Sequence, residues 1–110
     1  YTITLISNSA PNSVTVQRSV GGVPLSGVGP VASGAQIEFA AAGTDVDADV
    51  LFYAWRFAQP FAPNPIYFWG PKVIYSTTGY APLSSVQGQL TVIDRLGATL
   101  SVVLPSTNIT

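Results

Sequence analysis

The chain contains no cysteine, no histidine and no methionine, and among 110 residues only four are basic and five acidic. Without cysteine there are no disulfides and no thiol chemistry, although an extracellular setting does not require either. Without histidine as well, Ser-His-Asp and Cys-His nucleophilic arrangements are excluded, along with imidazole or thiolate metal sites. The lysine is single, and Arg18, Arg56, Lys72 and Arg95 are scattered, so no basic stripe is available for nucleic acid. No apolar run approaches the roughly 20 residues that span a bilayer, and the charged and apolar regions of a signal peptide are missing. A start at Tyr1 with no methionine leads us to expect a processed or excised piece of a longer product.

Charged residues make up 8% of the chain and apolar residues 47%, against about 25% charged in an ordinary soluble domain. Charge normally keeps surfaces apart in solution. A surface built instead from Ser, Thr, Asn, Gln and backbone suits a protein packed against copies of itself, glycosylated, or held in a larger extracellular assembly. The length fits one domain.

The pattern that is present is period 2. Residues 1–7 alternate, with Tyr1, Ile3 and Leu5 on one face, and read as a first strand. Asn8 to Asn12 is a turn, and Ser13 to Val20 alternates again with Val14, Val16 and Val20 inward. Gly21 to Gly34 is rich in Gly and Pro and reads as a long irregular connection or kinked edge strand. Ala35 to Ala42 is a strand with Ile37, Phe39 and Ala41 inward.

The stretch from Thr44 to Phe57 organises the rest. Asp45, Asp47 and Asp49, three of the five carboxylates, lead into a strand with Leu51, Tyr53, Trp55 and Phe57 on one face and Phe52, Ala54 and Arg56 on the other. Tyr53 and Trp55 are assigned to the core. Gln59 to Pro71 holds four prolines, which forbid a helix or central strand, yet carries Phe61, Ile66, Tyr67, Phe68 and Trp69. Lys72 to Thr78 is a strand, and Val86 to Asp94 with Ala98 to Leu104 forms a closing hairpin around Arg95-Leu96-Gly97. The remainder, 105–110, reads as a polar tail. No helical periodicity of useful length and no internal repeat is found. Strands at this spacing predict an all-β, immunoglobulin-like β-sandwich of about seven strands, with residues 1–7 as an extra N-terminal strand and 8–104 as the domain.

The run from Ile37 to Phe57, I-E-F-A-A-A-G-T-D-V-D-A-D-V-L-F-Y-A-W-R-F, and the later L-T-V-I-D-R-L-G from Leu90 to Gly97 resemble the polycystic-kidney-disease (PKD) family of immunoglobulin-like domains. Members show an F-x-A-x-x-S-x-D-x-D-G-D-x-L-x-Y-x-W-x-F core and an L-x-V-x-D-x-x-G hairpin. This chain departs at Ala48, where the family has Gly, and at Ala58-Gln59-Pro60, where a Gly-Asp-Gly turn is missing. The resemblance implies that calcium, if bound, is held by Asp45 and Asp47 with Asp94 from the hairpin. The competing reading is turn chemistry, in which Asp side chains cap backbone N–H groups and no cofactor is needed.

Phe61, Tyr67, Phe68 and Trp69 admit two readings: a contact surface for sugar or a neighbouring subunit, or a cap folded over the core. Asn108-Ile109-Thr110 fits a glycosylation sequon. A carboxylate pair could do acid–base work, but the only cluster sits on a turn beside a strand with no nucleophile or cation nearby in sequence, so the chain is not expected to be an enzyme. The leading expectation is a non-catalytic structural or adhesive module of an extracellular assembly such as a surface filament, surface layer or viral decoration. Its partners would be itself or other protein subunits, with Tyr1, Ile3 and Leu5 available to pair between copies. The alternative is an accessory carbohydrate- or matrix-binding module of a secreted hydrolase.

Overall fold

The computed structural model describes residues 11–27, 29–44, 50–59 and 62–110. The first strand, β1, covers Ser13–Val20, and its inward positions Val14, Val16, Arg18 and Val20 are half-buried or buried. A short β2 at Val23–Pro24 turns back on it, pairing with Ser19 and Val20. β3, Gln36–Thr44, pairs with β1 and with β6, Lys72–Ser76, so one sheet runs β2-β1-β3-β6. The other runs β5-β4-β7-β8, built from β4 (Leu51–Ala58), β5 (Ile66–Trp69), β7 (Ser85–Asp94) and β8 (Thr99–Val103). All pairings within both sheets are antiparallel. The fold is a two-sheet β-sandwich, and seven of its strands are four residues or longer.

The alternation foreseen in the sequence sets what lies between the sheets. Ile37 and Phe39 of β3 face Trp55 and Phe57 of β4, with Leu90 and Val92 of β7 alongside, all at most 1% exposed. No disulfide joins the sheets, and aromatic rings occupy the space. Phe57 stacks on Tyr75 at 4.3 Å between centroids, Phe39 lies 5.1 Å from Phe57 and 5.9 Å from Trp55, and Phe68 meets Phe57 edge-on at 5.9 Å. Aromatic pairs in such tilted and offset geometries add to the stabilisation their buried area already gives. Gly88 makes room for this packing, because a Cβ there would sit 2.8 Å from Phe57 Cδ1 and 3.0 Å from the Arg56 carbonyl.

One part of the chain differs from expectation, and one residue is given no place by it. Residues 105–110 are not a free polar tail: Thr107–Asn108 forms β9, which pairs with Ser85 and Val86 at the start of β7. Thr107 and Ile109 are buried at 0% and 1% exposure, and Ile109 forms a parallel bridge to Val31. The cause is the alternation of Thr107 in, Asn108 out and Ile109 in, a strand pattern short enough to pass for loop. Arg18, which the sequence reading assigns to neither face, occupies an inward position of β1 and is only 7% exposed. Its guanidinium donates to Thr107 Oγ1 at 2.6 Å, to the Ser106 carbonyl at 3.2 Å and to the Gly27 carbonyl. Burial pushes its pKa below the ordinary arginine value. One cation thereby joins β1, the loop after β2 and the start of β9. The expected first strand, with Tyr1, Ile3 and Leu5, lies outside the described residues.

Candidate functional site

Because successive strand residues point to opposite faces, every core residue of the larger sheet fixes an outward neighbour. β4 thus presents Phe52, Ala54, Arg56 and Ala58, and β5 presents Tyr67 and Trp69. β5 exists despite the prolines before it because it is an edge strand, where missing ladder bonds are tolerated. Its Ile66 and Phe68 turn in to the core, which leaves Tyr67 61% and Trp69 69% exposed. The Trp55 indole fixes the end of β5 from inside, donating to the Gly70 carbonyl at 2.7 Å, while Gly70 N–H donates to the Tyr53 carbonyl at 3.0 Å. Gly70 has φ of +117°, a conformation side chains rarely adopt. Tyr53 is half-buried against the core, and its hydroxyl accepts from Gly43 N–H at 3.0 Å.

Register assembles these residues into rows across the sheet. Tyr67 lies opposite Arg56, Arg56 opposite Gln89, and Gln89 opposite Val103. In the next row Trp69 faces Ala54, Ala54 faces Thr91, and the Thr91 hydroxyl meets that of Ser101 at 3.0 Å. Strands about 4.8 Å apart make the four-strand row roughly 14 Å across. A shallow depression of about 220 Å³ lies beside Arg56, lined also by Ala58, Gln87, Gly88, Gln89 and Val103. A second depression, which shares Ala58 and Gln87 with the first, is lined also by Gln59, Ser84 and Ser85. Among the outward residues of β4, β5, β7 and β8, Arg56 carries the single formal charge. It makes no ion pair or hydrogen bond among the described residues, whereas Lys72 on the other sheet pairs with Glu38.

The aromatic residues foreseen as either contact surface or cap differ in burial. Phe68 is part of the core, whereas Tyr67 and Trp69 stand outside it, and Phe61 lies outside the described residues. Arg56, Gln87 and Gln89 were not foreseen as site residues. The signal for Arg56 was its outward place in the strand alternation; for the glutamines it was their alternation with Val86, Leu90 and Val92 along β7.

The possible calcium ligands are only partly visible. Asp45 and Asp47, with Asp49, lie outside the described residues, and no group of three or more metal-ligating side chains occurs among those described. Asp94 is 2% exposed, and its Oδ1 accepts from the Leu96 and Ala98 N–H groups, each at 2.9 Å. The hairpin is completed by Gly97 at φ +93°, whose N–H donates to the Asp94 carbonyl at 3.1 Å. One oxygen of this carboxylate is thus already engaged by the turn. Asn108 is exposed on β9, but the neighbouring Ile109 is buried and the Thr110 hydroxyl bonds the Val31 carbonyl at 3.3 Å, so the sequon forms part of the fold.

No protein-family model, curated protein or solved structure matches this chain. The fold therefore stands as a two-sheet β-sandwich of general type. No helix among the described residues is long and apolar enough to cross a membrane.

Proposed function

We propose that the chain is a non-catalytic adhesive and structural module of an extracellular assembly, and that it makes its contacts with the outer face of the larger sheet. One observation carries this reading: Tyr67 and Trp69 stand side by side, 61% and 69% exposed, on a strand whose other residues are anchored in the core. Large rings held at this exposure by a rigid scaffold suit a contact surface, since little conformational freedom is lost when they are covered. The low charge of the chain and its lack of His and Cys support a binding role over catalysis. Kinship with PKD and immunoglobulin-like domains is part of the proposal. It is supported by Tyr53 and Trp55 on β4, by the Asp94–Gly97 hairpin, and by a strand order in which β4 pairs β7 while β3 pairs β1 and β6.

The test is co-sedimentation of the purified chain with envelope and extracellular-matrix fractions, comparing wild type with a Tyr67→Ser, Trp69→Ser double variant. The variant should melt like the wild type and lose retention. Equal retention of a folded variant would overturn the reading. Self-association is favoured by a separate observation: β2 covers only Ser19 and Val20 and Leu25 N–H donates to the Arg18 carbonyl, so the outer edge of β1 from Ser13 to Gln17 has no strand partner among the described residues. An unpaired edge accepts a further strand, and Tyr1, Ile3 and Leu5 of a second copy have the alternation to supply one. Deleting residues 1–7 should then leave a folded monomer that no longer assembles. A truncated chain that still assembles would exclude this route.

A further inference from the structure

Resting on the reading of this face as a contact surface, we propose that its ligand is an acidic polysaccharide, with sugar rings on Tyr67 and Trp69 and a carboxylate or sulfate on Arg56. Three features select this class. The guanidinium lies in the middle of a platform that contains no carboxylate among its described outward residues, and no described residue pairs with it. An arginine so placed is complementary to an anion that takes its planar fork with two parallel hydrogen bonds. The aromatic rings next to it have exposed faces on which the C–H side of a pyranose ring can lie, so the anion sought is attached to a sugar-like body. On the other side, Gln87 and Gln89 border the depression that reaches Arg56. A glutamine amide both donates and accepts, which matches hydroxyl groups better than it matches an apolar protein surface.

The overall charge strengthens the assignment. With a formal net charge of −1 the chain does not attract polyanions indiscriminately, so an acidic glycan that binds must be recognised locally. A second copy of the chain fits the face less well. No described outward residue of the same sheet offers a carboxylate to Arg56, so a symmetric face-to-face pair would set one guanidinium against another.

The experiment uses the full chain. Trp69 is exposed and Trp55 fully buried, so quenching of tryptophan emission by acrylamide reports on Trp69. The chain is titrated with a hexamer of galacturonic acid and with the uncharged galactose hexamer, while light scattering follows mass. The acidic hexamer should protect Trp69 from quenching and bind at least about tenfold more tightly than the neutral one. Arg56→Gln should remove that preference, and Lys72→Gln, on the opposite sheet, should leave it intact. Equal binding of both hexamers, no binding of either, or an equal loss in Lys72→Gln would overturn the glycan assignment. Protection of Trp69 that appears with rising protein concentration and doubled mass, without glycan, would also overturn it while leaving the contact face in place. Loss of retention on matrix fractions in the serine double variant separates failure of the ligand from failure of the face itself.

Discussion

Replacing Arg18 by Met tests whether a buried cation can hold this sandwich closed. Methionine keeps most of the apolar stem that lines the inward face of β1 and removes the guanidinium. What is lost is a set of charge-assisted hydrogen bonds to Thr107 Oγ1, the Ser106 carbonyl and the Gly27 carbonyl. Such bonds contribute about 1.5–3 kcal/mol each when removed singly. Against that stands the desolvation of an arginine only 7% exposed, several kcal/mol for an ion, which the substitution relieves. Thr107 is fully buried and would lose its donor, so the hydrogen-bond loss prevails, and we expect a net destabilisation of about 1–3 kcal/mol. The loss should be local as well as global. In native-state hydrogen exchange the amides of Ile109 and Thr110, which bond the Ser84 and Val31 carbonyls, should open earlier than those of β4. Arg18→Lys should recover only part, since an ammonium cannot present the same fork to several acceptors. A urea melt showing Arg18→Met as stable as wild type, with unchanged exchange over 105–110, would refute the reasoning.

Trp55→Ala should cost roughly 3–5 kcal/mol in a urea melt, because it empties a fully buried site and removes the bond to Gly70; a loss under about 1 kcal/mol would contradict that packing. Gly88→Ala should cost about 1–3 kcal/mol, since the new methyl meets the Arg56 backbone as well as Phe57. Burial and the 2.6 Å hydrogen bond to Tyr75 raise the Tyr80 pKa well above the ordinary value of about 10, so the fold favours the protonated phenol. Its contribution is complete below about pH 10 and is lost as pH rises further; the melting temperature should fall in that range, and less steeply in Tyr80→Phe. Millimolar calcium should leave the melting temperature unchanged relative to chelator, as Asp94 already serves the hairpin; a clear rise would establish a metal site by mass action.

The strands were legible because their residues alternate under a two-sided constraint. β1 was read at its observed bounds, and Leu90 and Val92 showed the inward face of β7. The platform was half legible: Phe68 and Trp69 are both large and apolar, and only the pairing of β5 with β4 decides which of them turns inward. Arg18 was not legible. The alternation of Val14, Val16 and Val20 puts position 18 inward, but the oxygens that make burial of its charge tolerable come from residues 27, 106 and 107. Ile109 escaped for a related reason, since its partners Val31, Leu83 and Ser84 are distant in sequence and themselves irregular.

The placement of Ile109 also sets how this end of the sandwich would respond to a pulling force. Its N–H bonds the Ser84 carbonyl and its own carbonyl accepts from Leu83, while the flanking Asn108 carbonyl and Thr110 N–H are both bonded to Val31. A pull applied through Thr110 is therefore shared between two separate segments before it reaches β7. Bonds on both sides of one short strand must yield nearly together, which slows forced unfolding relative to an end that peels away one bond at a time. A terminal hexapeptide with the composition of a linker would act here as a mechanical latch.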